Sequence, residues 1–289
     1  MKPAPFDYAD PRSLDEARAL LARHGEDAKI LAGGQSLMPM LNLRLARPSV
    51  VVDINRIAAL EGLVATASTL HVGALVRQRT LERWAATRAP LLAAALRALG
   101  HAAIRNRGTV VGSLVHADPA AELPALLLAC DGSVTALGPG GPREIPADRL
   151  FVGPLMTSLQ PDELVIDSRW ALPPAHAGWG FHEVARRHGD FALAGAAALV
   201  TVRQGRIEHA RLVVFGAAAT PIRARDAEQR LVGETPGPAL IPDVVAATAH
   251  RLDPPADLHA SADYRRRVAG TLVGRALRDA LARARDVAA

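Results

Sequence analysis

A short glycine-bearing segment, residues 31–37 (LAGGQSL), has the residue types that could bind a phosphate group. Gly33 and Gly34 can adopt positive φ angles and let the backbone approach a ligand closely, and successive N–H groups there can point at an anion. The segment lies between a predicted strand and a predicted helix, which favours the same use. The pattern suggests a pyrophosphate-binding loop; the alternative is a tight strand-to-helix turn with Ser36 as the helix N-cap.

The loop differs from two familiar nucleotide-binding motifs. No Gly-Lys-Ser/Thr sequence follows it, which excludes a Walker loop. Its glycine spacing also differs from the G-x-G-x-x-G motif of nicotinamide-binding folds. A phosphate-binding role would therefore require a different loop geometry from either of these.

A second segment, residues 107–124 (RGTVVGSLVHADPAAELP), combines glycines with small hydroxyl residues that could donate hydrogen bonds. Asp118 opens a predicted helix that carries Glu122 in its first turn. A carboxylate at a helix start is usually only a capping or dipole feature. Two such segments in one chain favour a ligand with both phosphate and sugar groups more than either segment does alone.

The chain has one cysteine, Cys130, and ten histidines. One cysteine cannot form a disulfide, a four-thiolate zinc site or an iron–sulfur cluster within the chain, so any cluster chemistry must lie on a partner. The histidines show no metal-ligand spacing, and there is no G-x-S-x-G nucleophile motif. We therefore expect no resident metal and no covalent nucleophile, and interpret His116, His182 and His188 as structural or solvent-facing residues.

Composition indicates a packed globular protein of two domains, since 49% of the 289 residues are apolar and 22% are charged. The formal net charge is +5. Arginines concentrate toward the C-terminal end, where they could contact phosphates or an acidic partner, or form a solvated helix face. Aromatic residues are too few for a base-stacking surface, so nucleic acid is not the expected ligand. Without a signal-peptide core or a run of about 18 apolar residues, we expect a cytoplasmic protein with no transmembrane segment.

The first part of the chain is predicted to form α/β units. Ser13 begins a helix through a Ser-x-x-Glu capping box with Glu16, and Gly25 ends it. A strand, a helix and a strand follow at residues 29–32, 38–45 and 50–53. Farther along we predict strands at 63–66, 70–73, 133–137, 143–145 and 164–170, helices at 81–87, 91–99 and 120–130, and a loop at 101–108 that leads into a second loop at 109–118.

Two prolines and a glycine between residues 172 and 178 mark the best candidate for a domain boundary. Beyond it, antiparallel strands are predicted at 180–185, 191–202 and 207–215, with a hairpin turn at Gln204 and Gly205. Three helices, at about 223–232, 238–250 and 262–285, complete the chain. Strands followed by helices indicate an α+β arrangement in which the helices cover one face of the sheet.

Three motifs together resemble a known family. They are AGGQSL at residues 32–37, GTVVGSLVHADPAAELP at 108–124 and RRHGDFA at 186–192. In this order and at these separations they are similar to the FAD-binding medium subunit of the molybdenum hydroxylases, of the aerobic carbon monoxide dehydrogenase and xanthine dehydrogenase type. Each motif is moderately specific, whereas the three together are highly specific, and the similarity covers nearly the whole chain.

The resemblance implies a fold and a division into domains. The expected fold is α+β, with a two-lobed PCMH-type FAD-binding domain at residues 1–177, whose lobes span about 1–57 and 58–177. A C-terminal domain at 178–289 follows, like that of the carbon monoxide dehydrogenase flavoprotein, with a three-stranded antiparallel sheet and a helical bundle. The element order predicted from the sequence after residue 178 agrees with this arrangement.

The resemblance also implies which residues bind the cofactor. The first loop would hold the FAD diphosphate, the second would also contact the cofactor, and four later positions would lie near the ribityl chain and the isoalloxazine ring. These residues are Ala32, Gly33, Gly34, Gln35, Ser36, Leu37, Thr109, Val110, Gly112, Ser113, Asp118, Glu122, Leu164 and Phe191. Val111 stands where relatives often have glycine, so its loop is expected to stay extended there or to contact the cofactor differently. Some relatives have lysine at the position of Glu183.

The function implied is electron transfer. In such enzymes a large subunit hydroxylates the substrate at a molybdenum cofactor, a small subunit carries 2Fe–2S clusters, and FAD on the medium subunit passes the electrons to an external acceptor. The single cysteine agrees with clusters on a partner, and a dimer of heterotrimers is the expected assembly. Two alternatives remain open: a self-sufficient PCMH-type flavoprotein oxidoreductase, and a non-catalytic nucleotide-binding scaffold subunit.

Overall fold

The computed structural model describes residues 1–287 of the chain. It begins with β1 (Asp7–Ala9), α1 (Leu14–His24), β2 (Ala28–Leu31), α2 (Leu37–Asn42) and β3 (Val50–Asp53), with 3₁₀ turns at Gly25–Asp27 and Ala58–Leu60. The strands form a parallel sheet in the order β1-β3-β2. The predicted α/β unit is confirmed, and β1 is an added strand that is too short to show a pattern in the sequence.

Helix α1 begins with the predicted cap in a modified form. Ser13 Oγ accepts a hydrogen bond from the backbone N–H of Glu16 at 3.2 Å. Glu16 Oε2 in turn accepts from the backbone N–H of Arg12 at 2.8 Å, one residue before the position that a capping box uses. Gly25 ends the helix at a φ of +51°, a conformation that side chains disfavour.

The second part of the chain surrounds an antiparallel sheet. In chain order it contains β4 (Leu63–Ala65), β5 (Thr69–Gly73), α3 (Gln78–Arg88), α4 (Pro90–Ala98), α5 (Ala102–Arg107), α6 (Val110–His116), α7 (Glu122–Ala129), β6 (Ser133–Gly138), β7 (Gly141–Pro146), α8 (Ala147–Leu150), β8 (Phe151–Gly153), β9 (Met156–Thr157) and β10 (Leu164–Ala171). Five strands pair in the order β4-β5-β10-β6-β7, and β8 pairs with β9. Helix α7 is buried on all sides, which explains why its sequence is apolar almost throughout.

Two predicted loops are helices. Residues 101–108 form α5 because the buried Arg105 donates from Nε to Glu82 at 2.9 Å and from Nη1 to the carbonyl groups of Leu99 and Gly100, each at 2.8 Å. The partners of Arg105 lie outside α5, and a helix of six residues is too short to show a periodic pattern of apolar residues in the sequence. The second loop is mostly α6, which Thr109 caps by accepting from the Gly112 backbone N–H at 3.0 Å.

Val111 is accordingly neither extended nor in a conformation that needs glycine. It lies in the first turn of α6, where its backbone is helical and its side chain is buried in the core. Of the two alternatives expected for Val111, an extended segment is wrong, because a β-branched residue fits a helical backbone with negative φ. An altered contact with the cofactor stays a prediction.

The last part of the chain is a sheet covered by helices. It contains β11 (Gly178–Ala185), β12 (Ala192–Arg203), β13 (Arg206–Phe215), β14 (Ile222–Arg223), α9 (Arg225–Gln229), α10 (Ile241–Ala249), α11 (Ala262–Arg283) and β15 (Asp286–Val287), with a 3₁₀ turn at Pro238–Leu240. The three predicted antiparallel strands are confirmed, and Gln204 and Gly205 form the turn at φ angles of +52° and +73°. The sheet is wider than the three strands expected, since β14 pairs with β13 and β15 runs parallel to β12.

Alternating residues of β12 belong to two different cores. Ala196 and Ala198 pack with the helices α9 to α11, whereas Ala197 and Leu199 pack with the residues of the first two sheets. Both faces of the strand are therefore covered, and the alanines permit close layers on each side. This strand joins the C-terminal sheet to the rest of the protein.

The C-terminal arginines divide into structural and exposed groups. Arg265 is buried and donates to the carbonyl groups of Leu193 at 2.6 Å and Gly216 at 3.1 Å, and to Asp257 at 2.7 Å. Arg283 stacks over the ring of Trp179 at 4.1 Å. Arg267, Arg275 and Arg278 are exposed on α11 and could face solvent or a partner. The charge concentration seen in the sequence is thus partly an internal stabilising feature.

Within residues 1–287, no helix has the length and apolar character needed to cross a membrane.

Two glycines allow α11 to lie directly on β11. A Cβ atom at Gly178 or Gly180 would overlap the backbone carbonyl groups of Ala280 or Ala276, respectively. Helix backbone cannot move away locally without breaking its own hydrogen bonds. The close approach therefore requires glycine at both positions.

We predict that Gly180→Ala destabilises the protein by about 1–3 kcal/mol through this overlap. Urea unfolding followed by circular dichroism measures the change. Gly140→Ala is the matched control, because a Cβ atom there meets nothing within 4 Å. Its effect should stay within about 0.5 kcal/mol. Equal midpoints for the two variants would contradict the packing argument.

Candidate functional site

A cavity of about 870 Å³ lies between the first glycine-bearing loop, the start of α6 and the chain around residue 190. Its volume is in the range of sites that bind large organic cofactors. Twelve of the fourteen predicted site residues line it: Ala32, Gly33, Gly34, Gln35, Ser36, Leu37, Thr109, Gly112, Ser113, Glu122, Leu164 and Phe191. The structure thus brings together the three motifs, which are far apart in the sequence.

Two predicted residues are not among those that line the cavity. The side chain of Val110 is fully buried in the core, because it occupies the first position of α6. Asp118 Oδ1 accepts a hydrogen bond from the backbone N–H of Ala120 at 2.8 Å and so forms the turn before α7. We therefore assign both residues a role in shaping the second segment. Val111, which had seemed an unfavourable replacement, lines the cavity.

The two glycine-bearing segments touch through their backbones. A Cβ atom at Gly33 would lie 2.6 Å from the carbonyl oxygen of Arg107, 2.7 Å from Gly108 Cα and 2.9 Å from the backbone nitrogen of Thr109. The sequence suggested that Gly33 is needed for a ligand, whereas the structure shows that it is needed for this contact. Gly34 is the position that adopts a positive φ, of +73°.

The loop leaves a row of backbone donors without partners. Within the described residues, none of the four N–H groups at positions 33–36 donates a hydrogen bond to the chain, and those of Thr109 and Val111 also donate none. All six residues line the cavity. Because backbone N–H groups are rarely left without an acceptor, this arrangement is suited to an anion with several oxygen atoms.

Ser36 does not serve as a helix cap. Its backbone is already helical, with φ −102° and ψ −47°, and its side chain makes no capping hydrogen bond. The alternative interpretation of this loop as a capped strand-to-helix turn is therefore wrong in its central feature. Ser36 instead lines the cavity.

Arg77 and Asn55 hold the two segments in place, although neither was predicted from the sequence. Asn55 Nδ2 donates to the carbonyl oxygen of Ala32 at 2.8 Å, and Asn55 Oδ1 accepts from Arg77 Nη2 at 2.7 Å. Arg77 Nη1 donates to the carbonyl oxygen of Arg107 at 2.7 Å. This chain of hydrogen bonds connects the first segment to the second. Isolated Asn and Arg residues give no sequence signal for such a role.

Comparison with known proteins identifies the family. Residues 4–169 match the family described as the FAD binding domain in molybdopterin dehydrogenase, and residues 179–280 match the CO dehydrogenase flavoprotein C-terminal domain. The chain belongs to the FAD-binding subunits of the molybdenum hydroxylases. The family, the fold and the cofactor predicted from the sequence are confirmed, and the protein is an oxidoreductase subunit.

Relatives of this flavoprotein subunit match it over their whole length. The 6-hydroxypseudooxynicotine dehydrogenase complex subunit alpha of Paenarthrobacter nicotinovorans is 44% identical, covering 99% of this chain and 97% of the relative. The caffeine dehydrogenase subunit beta of Pseudomonas sp. is 41% identical, with coverage of 96% and 95%. The carbon monoxide dehydrogenase medium chain of Hydrogenophaga pseudoflava is 36% identical, with coverage of 98% and 99%.

Solved structures show the same fold. Carbon monoxide dehydrogenase from Hydrogenophaga pseudoflava lacking the Mo-pyranopterin moiety superposes with a TM-score of 0.95 at 38% identity, covering 99% of this chain and 100% of the other. Quinoline 2-oxidoreductase from Pseudomonas putida 86 superposes with a TM-score of 0.91 at 33% identity, with coverage of 98% and 99%. The flavoprotein subunit therefore keeps the architecture of these chains from end to end.

Glu122 is the most deeply buried ionisable group of the cavity wall. It is the first residue of α7 and is 4% exposed. Burial, together with the nearby charges of Glu183 and Asp118, raises the pKa of Glu122 to about 8. The sequence had favoured an ordinary helix-start role, but such a residue is normally exposed and ionised. In this flavoprotein subunit the carboxyl group is predominantly protonated at neutral pH.

Glu183 approaches the same region from the C-terminal sheet. On β11, His182 faces the helices, where its Nε2 lies 3.1 Å from Asp279 Oδ2. Strand alternation places Glu183 on the opposite face, together with Phe181, whose ring stacks on Phe215. Burial raises the pKa of Glu183 to about 7, and its Oε2 is buried without a hydrogen-bond partner in the described chain.

The histidines have different surroundings. His182 is structural, as predicted, through its contact with Asp279. His116 lines the cavity, and burial lowers its pKa, so its predicted interpretation as structural or solvent-facing is incomplete. The ring of His188 packs edge-on against His101 at 6.1 Å. Among residues 1–287, no group of three or more His, Cys, Asp or Glu side chains could bind a metal ion.

We predict that the two raised carboxyl pKa values make the isolated chain less stable as the pH rises. The folded chain raises the pKa of both groups above the ordinary value of 4.5, so their contribution to stability is complete below about pH 4.5 and is lost as the pH rises through about 7 to 8. Glu122→Gln should flatten this decline, and the difference in the free energy of unfolding between variant and wild type should change by about 4–5 kcal/mol across the window, at about 1.4 kcal/mol per pKa unit.

Urea unfolding at a series of pH values measures this effect. Glu234→Gln is the control, because Glu234 is exposed and lies outside the cavity. A wild-type free energy of unfolding that stays constant or rises through this window, unaltered by Glu122→Gln, would show that the carboxyl groups are not protonated in the folded chain.

Proposed function

We propose that this chain holds FAD in the large cavity, with the diphosphate against residues 33–36 and the start of α6. The observation that carries the proposal is the set of six residues that line the cavity and whose backbone N–H groups donate no hydrogen bond within the described chain. A diphosphate supplies oxygen atoms and negative charge for several such donors at once. Lys29, on β2, also lines the cavity and adds a positive charge at this end.

The flavin ring would occupy the other end. Leu155, Leu164 and Phe191 provide apolar surface there, and Glu122 provides a polar group at the wall. Phe191 is 59% exposed and follows the turn at Gly189, whose φ is +85°. A ring at this position can cover one edge of a bound flavin while leaving a route to an external acceptor.

We infer that the subunit transfers electrons between partners. Bound FAD accepts single electrons and releases them in pairs, which no side chain of the described residues can do. The chain contributes binding, orientation and exclusion of water. Cys130 cannot serve a cluster, since it is buried and burial raises its pKa to about 12. The electrons would therefore come from 2Fe–2S clusters on a small subunit, reduced in turn by a large molybdenum-cofactor subunit.

We propose an assembly and a place for it. A dimer of heterotrimers would give each flavoprotein subunit one iron–sulfur and one molybdenum partner, and the cytoplasm is the proposed location. Relatives of the same length are named as subunits or medium chains, which supports the subunit function over a self-sufficient oxidoreductase or a scaffold. We place the domain boundary at residues 177 and 178, with lobes of about 1–57 and 58–177 in the FAD-binding domain.

The absorption spectrum of the purified chain separates these functions. A bound flavin gives a yellow protein, and reconstitution with FAD should restore the colour after its removal. A chain that neither contains nor binds FAD would contradict the flavoprotein proposal. Turnover of a substrate by the isolated chain would contradict the subunit proposal, whereas copurification with a cysteine-rich protein and a molybdenum protein would support it.

We predict that Ser113→Asp lowers FAD affinity at least tenfold relative to Ser113→Asn. Both replacements have the same size, and the Ser113 side chain makes no hydrogen bond within the described chain, so the pair differs chiefly in charge. Repulsion between a carboxylate and a diphosphate about 4 Å apart costs more than about 1.4 kcal/mol of binding free energy. That cost corresponds to a tenfold loss of affinity. Isothermal titration calorimetry of the FAD-free variants measures both constants. Equal affinities would place the diphosphate elsewhere.

A further inference from the structure

Glu122, which is buried, and Glu183, which is half-buried with its Oε2 atom enclosed, form a pair of carboxyl groups that the proposed electron transfer does not by itself require. Glu122 comes from α7 and lines the cavity, while Glu183 comes from β11 in the C-terminal sheet. The charge of Glu183 acts on the pKa of Glu122, so the two groups are within electrostatic reach of each other. Glu183 Oε2 has no hydrogen-bond partner among the described residues.

The elements around the pair bring no opposing charge to it. Helix α4 packs against both α7 and β11, and its one charged residue, Arg97, is exposed. From the segment between α6 and α7, Asp118 acts on Glu122 with the same sign. His116 of α6 lines the cavity, but burial lowers its pKa and favours the neutral ring.

Cations on the remaining elements are committed elsewhere. Arg211 of β13 and Arg223 of β14 both pair with Asp131, which follows the C-terminal end of α7 and is therefore at the opposite end from Glu122. Asp148 of α8 pairs with Arg225 at 3.0 Å. His182 and Asp279 contact each other on the helix-covered face of β11. Phe181 and Phe215, on the face of the sheet that packs against the first part of the chain, are apolar.

Without a cation, a proton is the species that can remove the repulsion between two buried carboxylates. Two like charges in a poorly solvated site cannot both remain ionised at low cost, so one group retains its proton over a wide pH range. The protons then belong to the pair, which titrates in two coupled steps. This behaviour suits a group that exchanges protons near neutral pH.

We propose that Glu122 and Glu183 together form a proton-binding site that supplies a proton to FAD when electrons arrive. The proposal rests on the placement of FAD in the same cavity. The reduced clusters of the partner give two electrons to FAD and are oxidised, an O–H bond of the pair breaks, and an N–H bond forms on the flavin. The pair then regains its proton from solvent water.

Infrared difference spectroscopy tests the pair directly. The C=O stretch of a protonated carboxyl group is resolved from that of a carboxylate, and we expect this band to disappear as the FAD-loaded chain is titrated through about pH 7 to 8. Glu183→Gln should remove one of the two steps and move the remaining step to lower pH, because a like charge has been removed. Glu234→Gln is the control and should leave the titration unchanged.

Flavin reduction gives a second, kinetic measurement. Dithionite reduction of the FAD-loaded chain, followed by absorbance in a stopped-flow instrument, should slow about tenfold per pH unit once the pair has lost its protons. In the Glu183→Gln variant the rate of flavin reduction should begin to fall at a lower pH than in the wild type. In the double variant Glu122→Gln, Glu183→Gln, flavin reduction should lose the pH dependence that the pair causes and should be slow at every pH.

The outcomes distinguish this proposal from the proposed function. The proton-binding site is refuted, and the FAD placement stands, if the wild-type chain binds FAD but shows no carboxyl titration near neutral pH. The same conclusion follows if Glu183→Gln and the double variant both keep the wild-type pH profile of flavin reduction. If the chain fails to bind FAD while its protonated carboxyl band still titrates, the flavoprotein function fails and the pair alone remains.

Discussion

The backbone contact between Gly33 and residues 107–109 determines how the rest of the cavity is assembled. It brings the end of a parallel strand in the first sheet against the end of a short helix in the second part of the chain. Any side chain at position 33 would separate the two segments. Hydrogen bonds from Arg77 and Asn55 hold them at this distance, so residues of both segments line one cavity. The anion-binding site that we propose here therefore depends on the tertiary fold rather than on either loop alone.

The C-terminal sheet completes the cavity from the other side. Glycines on β11 and alanines on β12 allow the helices to pack closely on one face, which leaves the other face to the core of the FAD-binding part. As a result Phe191 and Glu183 reach the region of the cavity from a different domain. Asp131, paired with Arg211 and Arg223, fixes the two parts relative to each other near the end of α7. The C-terminal end of α7 thus contributes to the contact between the two parts of the chain, whereas Glu122 at its N-terminal end lines the cavity.

Sequence patterns predicted the parts of this protein that depend on local chemistry. The glycine loop, the hairpin turn at Gln204 and Gly205 and the three long C-terminal strands follow from conformational preference and alternation. Helix α5 was missed, since it depends on the buried Arg105 and its distant partner Glu82. The roles of Arg77 and Asn55 were missed for the same reason. The sequence identified Glu122 as a helix-start acid, but its burial and its proximity to Glu183 arise only when two domains meet.

The charges at the two ends of the cavity are coupled through any anionic cofactor that fills it. A diphosphate near residues 33–36 would add negative charge to a cavity whose wall contains the carboxyl group of Glu122, and the charge of Glu183 already acts on that group. In a site from which water is displaced, that charge favours the protonated form of the pair. By thermodynamic linkage, protonation of the pair must strengthen binding of the anion by the same free energy. The two proposals are therefore linked, since retention of the cofactor and protonation of the carboxyl pair would form one equilibrium.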